Sequence, residues 1–188
     1  MIMLKYTLLG FLMLRPTTGY DLHAHMEAST AHFWNAKLSQ IYTTLKKLEA
    51  DGLVESQMEA QDDRPDKRIY YITDAGRDVL TQWLETPNTT MDQVKSTLLV
   101  KLFFSGFTDL ETVLAELRLQ KALHEQQLHH YETTSKQVIE ASSQHASDGD
   151  YHKVFWDATR QYGMRYEAMI VDWLDDTIAQ LSQLHKKD

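Results

Sequence analysis

The stretch from Phe33 to Thr73, FWNAKLSQIYTTLKKLEADGLVESQMEAQDDRPDKRIYYIT, constrains the fold more than any other part of the chain. On a helical wheel at about 100° per residue, Leu38, Ile41, Leu45 and Leu48 gather on one side. Ser39, Thr43 and Lys47 point the other way, flanked by Gln40 and Lys46. Such a helix buries one face and offers short polar and cationic side chains on the other. Those side chains suit base edges and phosphates in a DNA major groove. Gly52 stands where a helix stops. Leu53 to Glu59 and Ile69 to Thr73 then read as two strands joined by a long polar loop, Ala60 to Arg68. A helix with a polar face followed by a two-stranded wing is the outline of a DNA-binding domain.

The flanking segments extend that outline. Leu4 to Leu14 is apolar and helix-favouring, and it stops at Arg15-Pro16, where proline disfavours further helix. The apolar start resembles a leader sequence, but Lys5 lies inside the apolar run and no small-residue cleavage site follows, so a buried first helix is expected. Thr18-Gly19 makes a turn, and a second helix from Tyr20 to Ala28 offers Tyr20, Leu22 and Met26 for packing. The third helix runs from about Lys37 or Ser39 to Asp51, with Ser39 or Asn35 as its cap. Asp74-Ala75-Gly76 opens a fourth, carrying Val79, Leu80, Trp83 and Leu84. Helix, helix, recognition helix, hairpin, helix is the order of a winged helix-turn-helix.

Thr86-Pro87-Asn88-Thr89-Thr90 marks a boundary. The expected organisation is a winged domain over residues 1–86, a linker at 87–90 and a helical domain over 91–188. In the latter, Met91 to Ser105 reads as one helix and Asp109 to Ser142 as another. Leu110, Leu114, Leu117, Lys121, His124, Leu128, Tyr131, Ser135 and Val138 recur at alternating four- and three-residue steps, a heptad-like seam. A last helix after His145-Ala146-Ser147-Asp148-Gly149-Asp150 carries Phe155, Tyr162, Tyr166, Met169, Trp173 and Leu184. Two long amphipathic helices need a partner for their apolar stripes, which predicts a homodimer. Leu110, Leu114, Leu117, Leu128, Tyr162, Tyr166, Met169 and Trp173 are the expected dimerisation residues. The fold class is thus mostly α with a small β-wing.

Composition narrows the function. The 188 residues are 43% hydrophobic and 24% charged, as in an ordinary folded protein. No apolar run approaches the roughly 18 residues of a membrane span. Cysteine is absent, which removes disulfides and thiolate metal sites and is compatible with a cytoplasmic protein. The formal net charge of −8 argues against a protein that coats nucleic acid without specificity. Local charge matters more. Lys37, Lys46 and Lys47 lie on or beside the third helix. Arg64, Lys67 and Arg68 share the wing loop with Asp62, Asp63 and Asp66.

The residues also carry a family resemblance. Gly19-Tyr20-Asp21-Leu22, Phe33-Trp34, Gln40-Ile41-Tyr42, Leu45-Lys46-Lys47-Leu48-Glu49 and Gly52-Leu53-Val54 resemble the PadR family of bacterial regulators. Arg64-Pro65, Lys67-Arg68, Tyr70, Ile72-Thr73 and Ala75-Gly76-Arg77 match that family's wing and following helix. The match is dense over residues 4–85. Residues 91–185 are similar in architecture to the long C-terminal domain of the subgroup that contains virulence activators. Thr43 departs from the pattern, standing where the family often has proline. Threonine can hydrogen-bond a base edge or phosphate where proline cannot, so the preferred operator is expected to differ. The resemblance implies a dimeric, operator-binding transcription factor, usually a repressor. Phe33-Trp34-Asn35-Ala36-Lys37 and Leu4-Lys5-Tyr6 are close to its phenolic-acid-responsive branch, which implies a small aromatic effector.

Each candidate residue has a plainer alternative. Gln40 and Thr43 are expected to approach base edges, while Ser39, Tyr42, Lys46 and Lys47 hold phosphates; otherwise they form a solvated helix face. Arg64, Lys67 and Arg68 either follow the DNA backbone or minor groove, or form an ion network with the loop aspartates. Of Tyr70 and Tyr71, which alternate across a strand, one is expected in the core. Trp34, Phe103 and Trp156 are candidates for the effector site, against simple aromatic packing. The nine histidines lack the i, i+4 pairing with a nearby carboxylate that a helical zinc site uses, so no metal and no cofactor are expected. No nucleotide-binding glycine loop, nucleophile elbow or HExxH motif points to an enzyme. The alternatives are a winged-helix interaction adaptor that does not bind DNA, or an unrecognised enzyme.

Overall fold

The computed structural model describes residues 2–30, 33–60, 66–91, 95–144 and 148–184. They divide into two compact units, residues 1–91 and 92–188.

In the first unit, α1 (Ile2–Leu14), α2 (Gly19–Ser29), α3 (Leu38–Ala50) and α4 (Asp74–Glu85) surround a small sheet. The hairpin strands are β2 (Val54–Glu59) and β3 (Lys67–Ile72), paired antiparallel with Ser56 opposite Tyr70. A third strand, β1 (Thr17–Thr18), pairs with the other edge of β3, giving the order β1-β3-β2. The helices form where periodicity and caps agree. The Thr18 hydroxyl accepts from Asp21 N at 3.1 Å and the Thr73 hydroxyl from Gly76 N at 3.1 Å, each satisfying an orphan N–H of a first helical turn. At the end of α3, Gly52 has φ of 71°, the left-handed conformation that glycine adopts without a Cβ penalty.

The core gathers Leu4, Leu8, Leu9 and Leu12 of α1, Leu22 and Met26 of α2, and Ile41, Leu45 and Leu48 of α3. Tyr70 and Ile72 of β3 and Leu80 of α4 close it. Fully burying one such aliphatic side chain is worth about 1.5–3 kcal/mol over leaving it in water. Tyr6 stacks on Trp83 with ring centroids 4.4 Å apart, fastening α1 to α4. Tyr20 is 65% exposed rather than packed, because Leu22 and Met26 already point inward from α2.

The second unit holds α5 (Thr97–Phe103), a 3-10 turn (Ser105–Phe107), α6 (Leu110–His130), a π-helical turn (Tyr131–Ser135), α7 (Lys136–Ser143) and α8 (Gly149–Ser182). Its core joins Val113 and Leu117 of α6 to Leu174 of α8, with Leu98, Leu102, Ile170 and Trp173 packed against them. The α6 and α8 helices run antiparallel and meet in layers seven residues apart. Leu117 and Leu174 form one layer. His124 Nδ1 contacts Glu167 Oε2 in the next. Arg160 Nη1 donates to Tyr131 O at 3.2 Å in the third. Beside the first, Lys121 Nζ lies 2.6 Å from Asp175 Oδ1.

The heptad-like seam is therefore an intramolecular interface. Leu114 and Leu117, expected at a dimer contact, are buried inside their own protomer, and Trp173 packs against the same core. The spacing fixes which residues share a face but not which helix covers it, and α8 lies within reach of α6. Tyr162, Tyr166 and Met169 lie on another side of α8 and are exposed. Leu110 and Leu128 are half-buried.

Three further expectations change in detail. Among the described residues of the segment expected as one helix from Met91 to Ser105, only Thr97–Phe103 is α-helical; the Ser96 hydroxyl caps it by accepting from Leu99 N at 3.2 Å. The expected helix Asp109–Ser142 begins after Asp109, whose carboxylate accepts from Thr112 N at 2.9 Å, and is interrupted by the π turn. The helix expected after the His145–Asp150 loop starts within it, at Gly149; residues 145–147 lie outside the described ones.

Candidate nucleic-acid interface

Between α2 and α3, the N–H groups of Phe33 and Trp34 both donate to Thr30 O, at 3.0 and 2.7 Å. Ala36 then enters the core, and α3 follows with Ile41, Leu45 and Leu48 buried beneath it. Ser39, Gln40, Tyr42, Thr43, Lys46 and Lys47 are all exposed. One helix face thus carries two neighbouring ammonium groups, a carboxamide, two hydroxyls and a phenol. Neither Lys46 nor Lys47 forms an ion pair among the described residues.

Several of these groups are already engaged within the helix. Neither Ser39 nor Asn35 caps α3. The cap position is Lys37, whose side chain has no acceptor, and Gln40 Oε1 accepts from Lys37 N at 2.9 Å instead. The Thr43 hydroxyl donates to Ser39 O at 2.8 Å and keeps its lone pairs for an outside donor. The Tyr42 ring lies over Gly19, at the first turn of α2.

The wing presents Lys67 and Arg68, both exposed. Arg64 lies outside the described residues, as do Asp62 and Asp63 of the expected loop network. Arg68 pairs instead with Glu49, in the last turn of α3. Its Nη2 lies 3.1 and 2.9 Å from the two carboxylate oxygens, and its Nε donates to Ser56 Oγ at 2.7 Å. Ser56 Oγ in turn donates to Glu49 Oε1. The guanidinium stands 5.6 Å from the centre of the Tyr70 ring. Tyr70 is the buried member of the tyrosine pair, and burial raises its phenol above the ordinary value. Helix periodicity does not single out Glu49, because it sits at the margin between the two helix faces. Only the hairpin register brings Ser56 and Arg68 to it.

Of the expected effector residues, Trp34 is half-buried against the first core, and its indole Nε1 is buried with no hydrogen-bond acceptor among the described residues. In the second unit, Phe103 is 83% exposed and meets Phe104 edge-on, and Trp156 stacks on His152 at 5.6 Å. Among the described residues no group of three or more histidines and carboxylates could hold a metal ion. No helix among them is long and apolar enough to cross a membrane.

A helix-turn-helix followed by a hairpin wing, with a polar and cationic face on the second helix, defines the winged-helix class of DNA-binding proteins. Comparison with known proteins makes the class specific. Residues 8–82 match the PadR-like family of transcriptional regulators, and residues 94–182 match the virulence activator alpha C-terminal domain. The chain thus carries a PadR-like regulator domain followed by a virulence activator alpha C-terminal domain. It is 28% identical to a probable transcriptional regulator of Mycobacterium tuberculosis over 194 residues, 96% of this chain and 98% of that one. It is 35% identical to the negative transcriptional regulator PadR of Bacillus subtilis over 101 residues, 54% of this chain and 56% of that one. The fold matches that of Bacillus subtilis PadR in complex with operator DNA, with a TM-score of 0.80 at 24% identity over 95% of this chain and 99% of that one. It also matches the same protein in complex with p-coumaric acid (TM-score 0.72, 24% identity, 95% and 98% covered). The virulence activator AphA of Vibrio cholerae shares the fold, with a TM-score of 0.73 at 24% identity over 96% and 99% of the two chains.

Proposed function

We propose that the chain is a cytoplasmic, homodimeric repressor whose two α3 helices read a pseudo-palindromic operator, and which a small aromatic effector releases. The observation that carries the reading is the exposed face of α3, where Lys46 and Lys47 have no ionic partner among the described residues. Phosphates are the natural counter-charge for such a pair on a winged helix. Gln40 and Thr43 lie on the same face and read base edges, Thr43 through its free lone pairs. Ser39, Tyr42 and Lys67 join the lysines on the backbone, as does Arg64 if the wing follows the groove.

Dimerisation belongs to the side of α8 that carries Tyr162, Tyr166 and Met169, with Leu110 and Leu128 as further contacts. Two copies place the recognition helices on half-sites about one helical turn, roughly 34–36 Å, or a multiple of it apart. The relative from Bacillus subtilis supports the repressor reading by its name and the effector reading by its complex with p-coumaric acid. Trp34 is the residue through which an effector would act, because it precedes α3 and carries a buried N–H without an acceptor among the described residues. Phe103 and Trp156 are secondary candidates.

The test is an electrophoretic shift with the DNA upstream of the chain's own gene, repeated across salt concentrations. A retarded band that weakens with salt supports the reading; none at low salt refutes DNA binding. Adding p-coumaric acid should quench tryptophan fluorescence and release the DNA together. Quenching without release refutes the effector step.

A further inference from the structure

Glu49 occupies a position that is unfavourable on two counts. It lies in the last turn of α3, where the helix dipole is negative, and it borders the face that meets phosphates. What holds it there is Arg68, joined through Ser56 so that one cluster ties α3 to both strands of the wing. Two of the three guanidinium nitrogens donate within this cluster, Nε to Ser56 and Nη2 to the Glu49 carboxylate, and the Tyr70 ring lies beneath them. We propose that Glu49 is a positioning residue for DNA recognition: the Glu49–Ser56–Arg68 brace sets the wing against the recognition helix and withholds Arg68 from the phosphate backbone. The inference rests on the DNA-binding reading above.

Two consequences separate this brace from an ordinary surface ion pair. Arg68 contributes no phosphate contact in the wild-type complex, although it is a wing cation of the kind that usually does. Releasing it adds sequence-independent attraction and loosens the helix–wing angle together, so discrimination falls while general affinity rises. Glu49 is thus a specificity residue that need not touch DNA.

The experiment compares wild type, Glu49→Gln, Arg68→Gln and the double variant in titrations of upstream DNA and of an unrelated duplex against salt. Arg68→Gln should leave the slope of log K against log salt unchanged while lowering discrimination about ten-fold, the scale of one lost base readout. Glu49→Gln should steepen the slope by about 0.9, one added phosphate contact, and tighten binding to the unrelated duplex. The double variant should return the slope to its wild-type value. A slope that becomes shallower by about 0.9 in Arg68→Gln would show that Arg68 already holds a phosphate and overturn the brace. Unchanged slope and discrimination in Glu49→Gln, in a protein whose melting temperature shows it folded, would overturn it equally. Failure of the wild type to bind either duplex is a different result, refuting the DNA-binding reading and the brace with it.

Discussion

The ring of Tyr42 packs onto the α-carbon of Gly19, so closely that a Cβ built there would stand 2.6 Å from ring atom Cε1. The first turn of α2 and the exposed face of α3 are thereby in direct contact, through a residue expected to hold phosphate. Gly19→Ala should push the ring aside. The neighbour that must move is the far end of an exposed side chain, so the cost in stability should be near the low end of overpacking, about 1 kcal/mol. Operator affinity should fall more clearly than stability does. Urea denaturation alongside DNA titration checks both, and unchanged affinity would remove Tyr42 from the interface.

Gln40 has two tasks that substitution can separate. Its Oε1 caps Lys37 N, while its exposure puts the Nε2 amide on the DNA-facing side. Gln40→Glu keeps the capping oxygen and adds a charge favourable at a helix N-terminus, so stability should hold. The same charge repels phosphate and should weaken operator binding at least ten-fold, on the order of one lost base contact. A variant that melts normally and binds normally would place Gln40 away from DNA.

The expectations that succeeded and those that failed differ for a physical reason. The α3 helix, Gly52, the hairpin and the burial of one member of the Tyr70–Tyr71 pair are legible because each is dictated locally, by periodicity or by the needs of one backbone turn. Strand β1 was not, since two threonines between Pro16 and Gly19 carry no alternation and form a strand only because the edge of β3 is free to pair. Heptad spacing identified Leu114, Leu117, His124 and Tyr131 as one face of a helix, but burial partners are non-local, and α8 supplied them. Arg68 was legible as a wing cation. Its commitment to Glu49 was not, because the register of β2 and β3 decides it.

Because Leu117 is 1% exposed between α6 and α8, its truncation should act on the fold of the second unit. Leu117→Ala should cost about 2–5 kcal/mol, through lost transfer energy and the cavity left behind. Tyr162→Ala on the exposed side of α8 should hardly change protomer stability but should weaken self-association. Chemical denaturation and sedimentation equilibrium distinguish the two. A large stability loss in Tyr162→Ala without any change in mass would assign that side to the protomer instead.

His25 predicts how stability varies with pH. Burial lowers its pKa below the ordinary 6.5, the Arg15 guanidinium in contact with its ring lowers it further, and Asp21 opposes both. A depressed histidine is neutral in the folded protein where the unfolded chain already binds a proton, so protonation favours unfolding. Stability from this group is therefore full above about pH 6.5 and is lost as pH falls towards the depressed folded value. His25→Gln should flatten that part of the stability profile. An unchanged profile in the variant would mean that another group titrates there.

The central claim is that the exposed face of α3 reads DNA, and Lys47 tests it most directly. Binding of the upstream fragment should be titrated from about 50 to 200 mM salt for wild type and Lys47→Ala, with an unrelated duplex beside it. The variant should lose affinity for both duplexes alike, and its slope of log K against log salt should become shallower by about 0.9, one phosphate contact. Wild-type binding whose slope and strength are untouched by the substitution would contradict the account.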